Sequence, residues 1–133
     1  MGMTDPIADM LTRIRNANRG RFKSADVSMS RMNVRIADVL KKAGYISGYD
    51  AKKDDGGREK LRIYLKYQDG KKSVITDIQR VSRPGRRIYV RGEKIPRVLN
   101  GYGTAILSTS RGILTDKESR DLNIGGEILC NVW

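Results

Sequence analysis

The apolar residues of this chain change period along its length, and that change limits the possible folds more than any other feature. In two early stretches they recur at helical spacing. Ile7, Met10, Leu11 and Ile14 fall at i, i+3, i+4 and i+7, and Met32, Ile36, Val39, Leu40 and Ala43 make a second stripe. Between and after these stripes they alternate: Ala25, Val27 and Met29 first, then Leu61, Ile63, Leu65 and Tyr67. A period of two buries one face of a strand. The punctuation agrees with the periods. Asp5-Pro6 suits the first turn of a helix and Gly20 its end; Ser30 suits an N-cap and Gly44 a stop. Residues 45–49 read as a strand, and Asp54-Asp55-Gly56-Gly57 as the turn before the next one. The first half is therefore expected to be α-β-α-β-β.

Gln68-Asp69-Gly70-Lys71-Lys72 reads as a junction, dividing the chain into residues 1–70 and 71–133. Beyond it, strands are expected at 73–81, 87–90, 104–109 and 128–133. Pro84 and Gly85 occupy the central places of a type II turn, and residues 96–99 suggest one helical turn. Ser110-Arg111-Gly112 is a turn, and Thr115 with Glu118 makes a capping box for a helix running to Gly125. The fold class is α+β, with two small packed domains, the second of them β-rich with a short helix.

Composition decides which chemistry such a fold can carry. The 133 residues hold 27 Lys+Arg against 15 Asp+Glu, a net charge of +12, with no histidine and one cysteine. Without histidine, the commonest general base and metal ligand is missing. A single Cys130 makes neither an internal disulfide nor a cysteine-rich zinc site. Gly101-Tyr102-Gly103 has two glycines of a dinucleotide fingerprint, but Ile106 stands where the third belongs. Lys71-Lys72 after Gly70 lacks the upstream glycine of a phosphate loop. Neither an enzyme, a cofactor, a metal nor a small-molecule substrate is expected. No apolar run approaches the roughly 18 residues that span a bilayer, and no signal segment is read, so a soluble chain in a reducing cytoplasm is expected.

A polyanion is the natural partner of so much positive charge. The charge is clustered: residues 13–23 carry +5 without an acid, and residues 80–97 carry +6. In the second run Arg83, Arg86 and Arg87 offer planar forks that grip phosphate at two points, and Tyr89 offers a ring for stacking. Each arginine by itself reads equally well as part of a solvated face. Ser108, Thr109 and Ser110 beside Arg111 and Gly112 suit ribose hydroxyls and base edges in an RNA minor groove, or else satisfy their own turn. A free-standing nucleic-acid regulator lacks a helix-turn-helix pattern to support it. A membrane-surface protein lacks basic amphipathic helices with aromatic edges.

Four segments taken in order carry a resemblance. They are residues 5–16 (DPIADMLTRIRN), 80–85 (RVSRPG), 103–114 containing ILSTSRGIL, and 125–128 (GGEI). Together they resemble the small-subunit ribosomal protein eight family along nearly the whole chain, Ser119 standing where Ala or Gly is expected. The resemblance implies an N-terminal α/β domain packed on a C-terminal β-rich one. It implies a structural protein that binds the central domain of small-subunit ribosomal RNA and helps organise the platform. Neighbouring proteins five and twelve, and repression of its own operon's messenger, are implied with it. So is a place in ribosomes of the cytoplasm, or of the stroma for a plastid-encoded chain. Residue by residue, 108–112 with Gly126 and Glu127 match the principal RNA surface. Thr4, Asp5, Arg13 and Arg15 match a secondary one, and Tyr89 with Arg83, Arg86 and Arg87 match a further part. Glu127 is a surface charge, an acceptor from a base amino group, or a hydrogen-bond acceptor fixing the neighbouring loop.

Overall fold

A computed structural model describes residues 5–69 and 72–133, which form two compact units, Pro6–Thr76 on one side and Asp5 with Asp77–Trp133 on the other. The junction expected at 68–72 runs through Gly70 and Lys71, which lie outside the described residues, as does Thr4.

The Pro6–Thr76 unit follows the expected order. Helix α1 (Pro6–Arg19) and strand β1 (Ser24–Ser28) precede α2 (Arg31–Lys42), β2 (Ile46–Lys53) and β3 (Glu59–Leu65). Two-residue strands β4 (Tyr67–Gln68) and β5 (Lys72–Ser73) pair as a small hairpin. The three longer strands form an antiparallel sheet in the order β1-β3-β2, with α1 against β1 and α2 against β2. Ile7, Met10, Leu11, Ile14, Ile36 and Leu40 from the helices are buried, as are Val27, Leu61 and Ile63 from the sheet. Each such Leu or Ile contributes about 1.5–3 kcal/mol on leaving water. The second stripe departs at its ends: Met32 is half-buried and Ala43 exposed beyond the helix, while Asn33 is fully buried. Its amide donates to the Ser28 carbonyl at 3.0 Å, and its backbone N–H donates to the capping Ser30 hydroxyl at 3.1 Å. Met29 lies just past β1.

Asp26 and Arg62 are cross-strand partners joined by two hydrogen bonds, 2.8 and 3.1 Å. The hydrogen bond from Arg62 holds the Asp26 carboxyl below its usual value of 3.8 against partial burial; Lys42 and then Tyr49 hold Asp38 low in the same way. A depressed carboxyl stabilises the fold above its unfolded value and loses that contribution as pH falls through the folded one. Urea midpoints are therefore expected to drop as pH is lowered from about 4 downwards. Asp26→Asn, measured in the same series, should be less stable at neutral pH and show a shallower acid limb. An unchanged limb would remove Asp26 from the account.

In the second unit, β6 (Ile78–Arg80), β7 (Tyr89–Val90), β8 (Thr104–Thr109), β9 (Gly112–Thr115) and β10 (Gly126–Val132) form the sheet, with the helix α3 (Asp116–Leu122) against β8 and β9. The antiparallel order is β6-β10-β8-β9, with β7 also paired to β10. Ala105, Leu107 and Ile128 are buried with Ile95 and Val98 from the preceding loop. The structure corrects several expectations here. Residues 73–81 are not one strand, because the chain changes partner within them. Val74 donates to Lys66 in the first unit, whereas Asp77 exchanges hydrogen bonds with Trp133. Ile75 and Ile78 are both buried, three apart, which a straight strand does not allow. The strand expected at 87–90 is reduced to Tyr89–Val90, and that at 128–133 begins instead at Gly126. The turn expected at 96–99 is a 3-10 turn at Val98–Gly101 with Leu99 and Asn100 left-handed. Strand β9 was not expected at all. The capping box at Thr115 and Glu118 forms both its bonds, but α3 ends at Leu122, because Asn123 turns left-handed at φ 52. Ser119 is fully buried, and its hydroxyl has no hydrogen-bond partner among the described residues.

Candidate nucleic-acid interface

Register places the expected site residues in rows across the sheet. Glu127 on β10 pairs with Tyr89 on one side and with Ser108 on the other, and Ser108 pairs with Ile113. Cross-strand partners project to one face, so Tyr89, Glu127 and Ser108 share a surface. Four strands at about 4.8 Å spacing make it roughly 14 Å wide. Gly126 lies in the next row, beside Val90 and Thr109. Tyr89 is 65% exposed, so its ring stands in solvent. Arg87 reaches into the row and donates to Glu127 at 3.4 Å, with the Glu127 side chain only 13% exposed. Glu127 thus accepts a hydrogen bond from the segment that precedes β7.

The hairpin between β8 and β9 divides the hydroxyls by task. Thr109 Oγ1 donates to the Gly112 carbonyl at 2.8 Å and accepts from the Arg111 N–H at 3.1 Å. Its hydroxyl thus serves the turn, whose left-handed place is taken by Gly112 at φ 103. Ser110 and Arg111 are exposed at the tip, and Ser108 is half-buried on the strand.

Arg83 and Arg86 stand on a separate tight turn, closed by a hydrogen bond each way between their backbones at 3.0 and 2.9 Å. Ser82 staples the base of that turn. Fully buried, it accepts from the Ile88 N–H at 2.8 Å and donates to the Ile88 carbonyl at 3.2 Å. Sequence inspection missed this role, although a small hydroxyl directly before Arg-Pro-Gly is the signal that carries it. It also missed Arg80, counted among the cations. Its guanidinium is 11% exposed and donates to the Leu129 carbonyl at 2.7 Å and to Asp5 at 3.2 Å. Asp5 is accordingly held within its own unit by Arg80. Arg13 and Arg15 lie on α1, in the other unit, and Arg13 pairs with Asp9 at 3.0 Å.

Gly125 is a third residue missed. A Cβ there would lie 2.1 Å from the Val90 carbonyl oxygen, and one on Gly126 would lie 2.2 Å from that of Ser108. The glycine pair lets β7 and β8 close on β10 from both sides. Burial pushes the Cys130 thiol up to about 12, leaving it a small core residue. Among the described residues, no group of three His, Cys, Asp or Glu could hold a metal, and no helix is long and apolar enough to cross a membrane.

A small α+β chain with net charge +12 and a sheet face of hydroxyls, arginines and one open ring has the features of a basic nucleic-acid-binding protein of structural type. Comparison with known proteins narrows the class. Residues 5–133 match the ribosomal protein S8 family. The small ribosomal subunit protein uS8 of Syntrophus aciditrophicus is 68% identical over 133 residues, covering 100% of both chains. Those of Geobacter sulfurreducens and Dictyoglomus turgidum are each 55% identical over the same span. The chain belongs to the ribosomal protein S8 family, a structural component of the ribosome and not an enzyme.

Proposed function

We propose that the chain is a structural protein of the small ribosomal subunit that binds small-subunit ribosomal RNA through the face made by β7, β10 and β8 and the β8–β9 turn. The observation that carries this is the single row of Tyr89, Glu127 and Ser108, with Arg87 anchored in it. Register puts ring and hydroxyl on one face of the sheet and the bond to Glu127 ties the guanidinium to it, an arrangement suited to RNA shape, ribose hydroxyls and unstacked bases. Ser110 and Arg111 extend it at the tip, and Arg83 and Arg86 add phosphate contacts from the stapled turn. By the family resemblance Arg13 and Arg15 supply a secondary contact, and Thr4 and Asp5 are assigned to RNA by that resemblance as well. The finer reading follows the family resemblance. The target is the central domain, bound early to organise the platform, with proteins five and twelve as neighbours and the operon messenger as a second RNA. The specific contact is assigned wholly to residues 71–133.

The test is a filter-binding salt series with a central-domain RNA fragment and a random RNA. Neutralising five or six phosphates gives a log–log slope of about −3.5 to −5. Arg111→Ala should weaken both RNAs and lower the slope by about one. Ser110→Ala should weaken only the specific RNA, by about 0.5–1.5 kcal/mol, with the slope unchanged. Thr109→Ala should act mainly on stability, because its hydroxyl is committed to the turn. Identical behaviour of Ser110→Ala and Arg111→Ala would reduce the tip to a cationic patch.

A further inference from the structure

The end of α1 carries a second feature that the β7–β10–β8 face does not use. Phe22 is 63% exposed, yet its backbone is fixed on every side. Its N–H donates to the Ala17 carbonyl at 2.9 Å, its carbonyl accepts from the Tyr67 hydroxyl at 2.6 Å, and the Lys23 carbonyl accepts from the Leu65 N–H at 2.9 Å. The helix closes with two hydrogen bonds, Arg21 to Asn18 and Phe22 to Ala17. The same pair of bonds ends α2 and α3, where the left-handed residue is Gly44 or Asn123. Here it is Arg21, at φ 58. A glycine stands beside it, at Gly20, but serves another purpose. A Cβ on Gly20 would lie 2.7 Å from Phe22 Cε2 and 3.1 Å from Cδ2. The small residue makes room for the ring edge, and the strained position is given to a cation. Such strain at a well-held site is a pointer to function.

Arg19, Arg21 and Lys23 flank Phe22 in sequence with no acid among them, and among the described residues none of the three has a carboxylate partner. Nearby, Ser73 on β5 donates to Asn18 at 2.8 Å, tying the β4–β5 hairpin to the end of α1. We propose that this patch is a second RNA-binding element, taking an unpaired nucleotide whose base stacks on Phe22 while Arg19, Arg21 and Lys23 hold the flanking phosphates. Charge complementarity selects a polyanion, and the exposed ring selects an unstacked base over a duplex. The inference rests on the RNA-binding reading above but on a different unit of the chain.

The experiment measures the full chain against a short oligoadenylate and a blunt RNA duplex of equal length, by fluorescence anisotropy at two salt concentrations. Phe22→Ala is expected to weaken the oligoadenylate about 5- to 150-fold and the duplex little, with Phe22→Trp restoring binding. Gly20→Ala keeps the ring but displaces it, and should also weaken the oligoadenylate. Changing Arg19, Arg21 and Lys23 together to Gln should weaken both RNAs and lower the single-strand slope by about 2. Melting temperatures recorded in parallel should not move for Phe22→Ala, because the ring is exposed. If Phe22→Ala and Gly20→Ala bind oligoadenylate like the parent, the stacking element is refuted. Should Arg111→Ala still weaken the central-domain fragment in that case, the proposed function survives alone. Unchanged RNA binding together with altered self-association of Phe22→Ala would make the patch a protein contact and overturn the inference.

Discussion

Asp116→Ala is expected to destabilise the protein by about 3 kcal/mol, the lower end of the range for removing one partner of a buried ion pair. Asp116 opens α3 and is 5% exposed. One carboxylate oxygen accepts the Ala105 N–H of β8 at 3.3 Å, and the other accepts from Arg120 at 2.6 Å. Arg120 spends a second bond on the Pro96 carbonyl at 3.0 Å, so the pair ties helix, central strand and preceding loop together. Without the carboxylate, a guanidinium only 22% exposed keeps its charge and loses its counterion. The β8 amide loses its acceptor as well. That residual exposure places the value at the low end of the range. Asp116→Asn keeps the shape and the Ala105 acceptor and should cost about half as much. Urea unfolding followed by circular dichroism reads both, and a loss under about 1 kcal/mol for Asp116→Ala would mean that water takes over the carboxylate's bonds.

How much of this was legible beforehand depended on the range over which each residue acts. The stripe of Ile7, Met10, Leu11 and Ile14 and the capping box of Thr115 and Glu118 are set within a turn or two of chain, and both formed as expected. Strand β8 carried its own signal from Thr104 to Thr109. Features that depend on a distant partner were silent. The break in the 73–81 segment arises because Val74 and Asp77 bond to different units. Arg80 reads as one more cation until Asp5, seventy-five positions away, accepts its hydrogen bond. The candidate site divides in the same way. Tyr89, Glu127 and Ser108 were each singled out by residue type and family resemblance. Their membership of one row follows only from strand register. Thr109, chemically the twin of its serine neighbours, is assigned to its own turn by two hydrogen bonds that no composition argument could allot.

Gly125→Ala should cost about 3 kcal/mol and remove specific RNA binding together with it, although the change adds one methyl group to a half-buried position. The reason is what the methyl would meet. The Val90 carbonyl oxygen would lie at 2.1 Å, and Arg91 Cα and carbonyl carbon at 2.8 and 2.9 Å. All three are backbone atoms, so no rotamer change relieves them. Either β7 leaves β10 or the start of β10 moves away from β8. Since β7 has only two residues, it is the weaker partner and should be the one to go. Tyr89 and Arg87 would leave the row with it, taking the ring and the guanidinium proposed to hold RNA beside Ser108. Gly112→Ala provides the contrast, because its Cβ would meet nothing within 4 Å and only the φ of 103 opposes it. That substitution should cost about 1–2 kcal/mol for a left-handed backbone and leave β7 in place. Amide exchange separates the two through Ile128, whose N–H donates to the Ile88 carbonyl at 2.9 Å beside β7. Its protection should collapse in Gly125→Ala and persist in Gly112→Ala. Equal losses of stability in the two variants, with Ile128 protected in both, would show that close strand approach is not what excludes a side chain from position 125.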